Sequence, residues 1–276
     1  MKLLRLLKER QETGQAVLAV NFYNMETLLS VCRAAKKQSC PLILQTSPST
    51  LNYAGLSVAV AMARAAILQN DVQAWLHLDH CHDLDVIKQC IEAGFDSVMI
   101  DASEQCIDEN IRLTQQVIRM ARPAGVCVEA ELGYIPKLEQ AALTSAGMTT
   151  SEEAQRFVEA TEVDMLAVSI GSAHGFYKEE PNLDFNRLQT IRNVVKTPLV
   201  LHGASGLSAQ QWKHAIELGI VKINLATEVK DTFTQKLKQA LGENKNIDLR
   251  ETFPSAMKAV EELVARKMAL CSNKPT

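Results

Sequence analysis

The sequence predicts an α/β fold: one domain spanning residues 1–276, built as a (β/α)8 TIM barrel with an added C-terminal helix. Three observations carry the prediction. Short apolar runs rich in Val, Ile and Leu recur eight times, with few alternating polar residues. Parallel strands covered on both faces have this pattern. A segment of helical spacing follows each run, and eight such pairs in 276 residues match the ~250 residues usual for a closed barrel. The competing architecture is an open doubly wound sheet, but no G-x-G-x-x-G follows the first strand.

The elements follow in order. The opening stretch, M-K-L-L-R-L-L-K-E-R, is amphipathic, charge-interrupted and without a small-residue cleavage site. It reads as an ordinary first helix, not an export signal. Strand one is A-V-L-A-V at 16–20, with its helix at 25–37. Strand two, P-L-I-L-Q at 41–45, leads to a helix at 57–69. Strand three runs over 74–78 and its helix over 83–93; strand four is S-V-M-I at 97–100, with a helix at 108–122. Strand five is V-C-V at 126–128, and its helix begins only at 151 and ends at 161. The connection between them, 133–150, is long enough to suggest function, and it lies on the side where barrel active sites form. Strand six covers 165–170 and its helix 184–194; strand seven covers 198–201 and its helix 209–218. Strand eight covers 221–225, followed by a helix at 227–241 and the added helix at 254–271.

Composition excludes several classes. The chain is 47% hydrophobic and 22% charged, ordinary for a globular protein and unlike a disordered or fibrous one. Net charge is −3, so no global basic field would hold nucleic acid or an anionic membrane. The longest apolar stretch, 54–68, is broken by Arg64, and no segment reads as a membrane span. Seven cysteines at irregular spacings, with no C-x-x-C, suit reduced thiols in a cytoplasmic protein.

In a barrel, polar residues at the C-terminal ends of strands are the candidates for chemistry. Strand three ends H-L-D-H (77–80), strand four runs into Asp101 and Ser103, and strand five ends E-A-E-L-G, with Glu129 and Glu131. Strand six runs into G-S-A-H-G (171–175), strand seven ends H-G-A-S-G (202–206) and strand eight ends N-L-A-T (224–227). His80, His174 and His202 therefore converge from three strands on one mouth. Three imidazoles plus an open position are the ligand set of a catalytic zinc. Asp101, Glu129 and Glu131 are available to orient those rings. His82 reads as a surface or helix-start residue, and Cys81 stays outside the site. The loops after strands seven and eight offer Gly203, Gly206, Ser205 and Thr227 for phosphate, which barrels often bind there.

Taken together, these pieces resemble the class II, metal-dependent ketose-bisphosphate aldolases. The matching motifs are H-L-D-H at 77–80, S-V-M-I-D-A-S at 97–103, E-A-E-L-G at 129–133, A-V-S-I-G-S-A-H-G at 167–175, L-V-L-H-G-A-S-G at 199–206 and K-I-N-L-A-T-E at 222–228. The short chain and the E-A-E-L-G form are most similar to the tagatose-bisphosphate branch. The resemblance implies zinc on His80, His174 and His202, with a monovalent cation as a further candidate cofactor. It implies Asp79 as proton donor and acceptor, and dihydroxyacetone-phosphate binding by Gly175, Gly203, Ala204, Ser205, Asn224, Leu225, Ala226 and Thr227. Asp101 and Glu131 match positions of an alternative or structural metal. An acidic residue, commonly within G-G-x-E-D, follows E-L-G in the family; here 134–140 reads Y-I-P-K-L-E-Q, and Glu139 aligns with it.

The activity so implied is reversible cleavage of a ketose 1,6-bisphosphate, tagatose before fructose, to dihydroxyacetone phosphate and glyceraldehyde 3-phosphate. The expected partners are a phosphorylated ketose, a second copy in a homodimer or homotetramer, and a stabilising subunit of the kind some tagatose-branch relatives use. Three rivals stand beside this reading. Lys222 on strand eight could form an imine in a metal-free aldolase. The H-C-H pair of His80 and His82 could hold the metal of a hydrolase. The chain could also be a non-catalytic subunit of a complex.

Overall fold

The computed structural model describes residues 2–136, 147–177, 181–243 and 247–272. Eight parallel strands close in sequential order, β1 to β8, with β8 pairing back to β1. They are β1 (Val17–Asn21), β2 (Leu42–Thr46), β3 (Ala74–Cys81), β4 (Ser97–Ile100), β5 (Cys127–Leu132), β6 (Met165–Val168), β7 (Leu199–Leu201) and β8 (Ile220–Leu225). The helices are α1 (Lys2–Glu12), α2 (Met25–Gln38), α3 (Pro48–Ala54), α4 (Leu56–Asn70), α5 (Leu84–Glu92), α6 (Ile107–Ala121), α7 (Ser151–Thr161), α8 (Phe185–Val194), α9 (Ala209–Glu217), α10 (Thr227–Glu243) and α11 (Leu249–Cys271). The fold is thus the α/β TIM barrel, with its C-terminal helix present.

Several boundaries differ from the sequence expectation, each for a local reason. β3 and β5 run three and four residues beyond the apolar runs, because the inward face turns polar near the mouth while the backbone pairing continues. β6 stops two residues earlier than expected, where the chain turns into the loop at Gly171. Helix α3 lies outside the predicted elements; Pro48 opens it, as proline does at a first helical position. α11 starts five residues before Pro254, at Leu249, because Asp248 caps its N-terminus. Where a capping box is written in the sequence, as Thr150 with Glu153 before α7, the predicted helix and the observed one coincide.

Alternation along the strands divides the residues between two layers. Leu18, Leu44, Leu76, Val98, Val128, Leu166, Leu201 and Ile223 face the helices and form the main core. The inward set is apolar at the bottom: Val17, Ile43, Trp75, Cys127, Met165 and Val200 pack against Leu3 and Leu7 of α1. The first helix therefore plugs the N-terminal end of the barrel, a role its composition did not announce. Burying each leucine contributes roughly 1.5–3 kcal/mol. Higher up, the inward residues are polar, and the chemistry begins there.

Candidate active site

β3 carries the first group. Its register with β4 shifts between Leu78 and Cys81, and His80 at that irregularity adopts φ +45°. A bulge re-aims a side chain, and here it turns His80 toward the mouth while Cys81 faces the core. His174 follows β6, its backbone N–H donating to the Pro136 carbonyl at 2.9 Å. His202 follows β7. The ring centroids are 4.6 Å apart for His80 and His202, 4.8 Å for His80 and His174, and 6.1 Å for His174 and His202. Ligand atoms of all three lie within 4.8 Å of one another.

The hydrogen bonds fix which ring nitrogens face inward. His80 donates from Nδ1 to Asp101 Oδ2 at 2.7 Å, and His202 donates from Nε2 to Glu129 Oε1 at 2.8 Å. The remaining nitrogens, His80 Nε2 and His202 Nδ1, are 2.8 Å apart. Both present lone pairs in that tautomer, so only a proton or a cation satisfies them together. Glu131 Oε2 adds a buried acceptor without a hydrogen-bond partner among the described residues, 3.5 Å from His202 Nδ1. This donor set fits a divalent metal, with carboxylates holding the rings as metal-ligating imidazoles require. A second group, His80 with Asp101 and Glu131, shares the same corner.

The electrostatics agree. Burial disfavours a charged His80, but Asp79, Asp101 and Glu131 outweigh it and raise its pKa to about 10. Burial and the neighbouring His80 charge push His202 well below the ordinary histidine range. Burial and repulsion from Asp101 push Glu131 up to about 8. Burial would raise Asp101 too, but hydrogen bonds from His80 and Ser103 bring it below the usual carboxylate range. Metal-free protein at neutral pH is therefore expected to carry a proton on His80 that a bound metal would displace. Zinc affinity is expected to fall about tenfold per unit of pH below 10 for that one proton. Calorimetry in buffers of different ionisation enthalpy measures the released proton; uptake without release contradicts it.

Asp79 sits beside the trio, 6% exposed. Asn21 Nδ2 donates to its Oδ2 at 2.8 Å and Asn224 Nδ2 to its Oδ1 at 3.2 Å. Asn21, Asp79, His80, His174, Gly175, Gly203, Ala204, Ser205, Asn224, Ala226 and Thr227 line one hollow. Leu225 is the exception among the expected phosphate residues: its side chain packs in the outer core. Gly203 has φ +66°, and a Cβ there would stand 2.6 Å from the Ala173 carbonyl oxygen. Only glycine lets the loops after β6 and β7 meet, which is what brings His174 to His202. The Tyr177 hydroxyl bridges the same loops, accepting from Ala173 N–H at 2.7 Å and donating to the Gly203 carbonyl at 2.8 Å. Gly206 is not a free donor, because its N–H goes to Glu228 Oε1 at 2.7 Å, and Lys267 of α11 holds that carboxylate at 2.9 Å.

Glu139 lies outside the described residues. His82 is exposed and turns Nδ1 to the Asp101 carbonyl at 2.5 Å, away from the trio. That geometry gives the hydrolase rival no H-C-H metal pair. Lys222 is fully buried, its Nζ 2.8 Å from Glu129 Oε2 and 2.7 Å from Asn224 Oδ1. An ammonium so engaged offers no nucleophile to a carbonyl, which removes the basis of the imine rival. Sequence reasoning missed Asn21, Gln45 and the bonding role of His77. The available signal was phase, because Asn21 follows Val17 and Ala19 on the inward face of β1.

A barrel mouth with three converging imidazoles and an amide-held carboxylate suits a metal-assisted enzyme. The fructose-bisphosphate aldolase class-II family model matches residues 1–275, and the chain belongs to that family. It is similar to the YdjI aldolase from Escherichia coli K12, at 31% identity over 98% of this chain and 96% of that one, TM-score 0.85. It is also similar to a putative fructose-1,6-biphosphate aldolase from Coccidioides immitis, at 30% identity over 97% and 95%, TM-score 0.89. Fructose-bisphosphate aldolase from Campylobacter jejuni shares the fold, at 22% identity over 99% and 95%, TM-score 0.86. The chain is a class II aldolase, a lyase of a metal-dependent family.

Proposed function

We propose that the protein is a zinc enzyme cleaving tagatose 1,6-bisphosphate reversibly to dihydroxyacetone phosphate and glyceraldehyde 3-phosphate. The observation that carries the reading is the pair of inward ring nitrogens of His80 and His202, with His174 beside them and Asp79 alongside. Bound by these three, zinc would supply Lewis acidity at the ketone oxygen and stabilise the negative charge that develops as the C3–C4 bond breaks. Asp79 takes the proton from the C4 hydroxyl during cleavage and returns it in condensation. Asn21 and Asn224 hold both its oxygens, so the carboxylate meets that hydroxyl in one orientation. Gly175, the 203–205 loop and Asn224 to Thr227 clamp the phosphate of the dihydroxyacetone half, supplying binding energy remote from the reacting carbons. Glu139 is proposed to protonate the carbon left by cleavage.

The E-A-E-L-G form supports tagatose; the likeness to the Coccidioides immitis protein favours fructose bisphosphate as the second reading. A bisphosphate needs a second anion site. A hollow of about 450 Å³ beside the mouth is lined by Tyr23, Asn24, Ser49, Thr50, Tyr53 and Lys230. Lys230 stacks over Tyr23 and has no carboxylate partner among the described residues. The test is dihydroxyacetone-phosphate release from tagatose and fructose mono- and bisphosphates, with and without chelator. Lys230→Ala is expected to raise KM for a bisphosphate about 10–100-fold, from loss of a charged hydrogen bond, and to leave a monophosphate unchanged. Equal loss on both would place Lys230 outside the distal site.

Free thiols at all seven cysteines favour a reducing, cytoplasmic setting. Among the described residues no single helix is long and apolar enough to cross a membrane; α3 and α4 pass by composition only as a pair, bent by 96°. Exposed Tyr53, Val58 and Leu68 on that pair support the homodimer or homotetramer proposed for the assembly. They also suit a stabilising subunit.

A further inference from the structure

We infer that Lys222 is a positioning residue that couples the metal-binding trio to Asp79, acting through Glu129 on one side and Asn224 on the other. The inference rests on the reading that His80, His174 and His202 hold a metal. Lysine on a strand ordinarily reaches for solvent with its head group. β8 instead points Lys222 into the barrel, where it is wholly buried. A buried ammonium needs partners, and it has two. Its Nζ stands 2.8 Å from Glu129 Oε2 and donates to Asn224 Oδ1 at 2.7 Å.

Each partner carries the effect onward. Glu129 uses its other oxygen to accept Nε2–H of His202, which leaves His202 Nδ1 facing His80. Without Lys222, Glu129 is an uncompensated buried carboxylate, and it must turn toward another donor. His202 then loses the acceptor that sets its ring and its tautomer. On the other side, an amide can present either end. A lysine donating to Oδ1 forces the NH2 end of Asn224 toward Asp79. Gln45 does the same for Asn21, donating to its Oδ1 at 2.9 Å. One cation beneath the mouth thus fixes a metal ligand and the donor that aims the proton carrier.

The experiment compares Lys222→Met, Glu129→Gln and the double variant of the full chain, with zinc affinity read by competition against a chromogenic chelator. Lys222→Met is expected to bind zinc about 10–100-fold more weakly, the usual effect of disturbing a partner of a ligand. The double variant is expected to recover most of that loss, because glutamine still accepts from His202 and no unpaired charge remains. Packing alone would leave the double variant no better than Lys222→Met. When saturated with zinc, the double variant is still expected to turn over about tenfold slower, since Asn224 has lost its donor. Wild-type affinity in Lys222→Met, or no recovery in the double variant, overturns the coupling to the trio. Wild-type turnover in the zinc-loaded double variant overturns the coupling to Asp79. If Lys222→Met does not fold, a double variant that folds and binds zinc supports the inference, and one that also fails to fold overturns it. Zinc affinity in His202→Ala equal to that of the wild type sinks the metal reading itself, a distinct result.

Discussion

Asp79→Ala is expected to lower turnover by about 10²–10⁴-fold, the range for one general acid–base group, while zinc content stays at the wild-type level. The separation follows from geometry. Asp79 belongs to neither group of candidate metal ligands, and its two oxygens are occupied by the amides of Asn21 and Asn224. Removing it leaves His80, His174 and His202 with their own supports, Asp101 and Glu129 among them. Metal analysis and steady-state kinetics on the same preparation decide the matter. Zinc lost in step with activity would mean that the carboxylate serves the metal and not the proton.

Stripping the metal is expected to be at least as severe. Prolonged chelation should abolish aldol cleavage, and added zinc should restore it. His174→Ala should leave a folded barrel with turnover near background that zinc does not restore, because its loop is held by the His174 backbone N–H and by Tyr177. Circular dichroism reports the fold and the release assay the activity. Full activity after exhaustive chelation would falsify the mechanism proposed above.

Much of this was legible in the residues, for identifiable reasons. Parallel strands buried on both faces write themselves as apolar runs, so each of the eight was found within a few residues. The trio was legible because each histidine stands where a strand ends, and strand ends share one mouth. The layer beneath was harder to read. His77, Ser97, Gln45 and Lys222 lie inside β3, β4, β2 and β8, where an isolated polar residue reads as an interruption. Their meaning depends on which neighbour across the barrel they face, as His77 Nδ1 faces Ser97 Oγ at 2.7 Å. Lys222 read as a nucleophile in one rival, and only its burial against Glu129 and Asn224 excludes that. The plug formed by Leu3 and Leu7 was hidden because amphipathicity marks a buried face without saying what covers it.

The left-handed backbone at His80 bears on how the family can change. Such a conformation disfavours most side chains by roughly 1–2 kcal/mol, glycine excepted. Glycine would relax the bend, yet it brings no ring nitrogen to the proposed metal site. Selection for robustness and selection for turnover therefore pull this position in opposite directions. A duplicated gene copy freed from its metabolic duty should lose this histidine early, and the resulting barrel should melt at a higher temperature than its working ancestor.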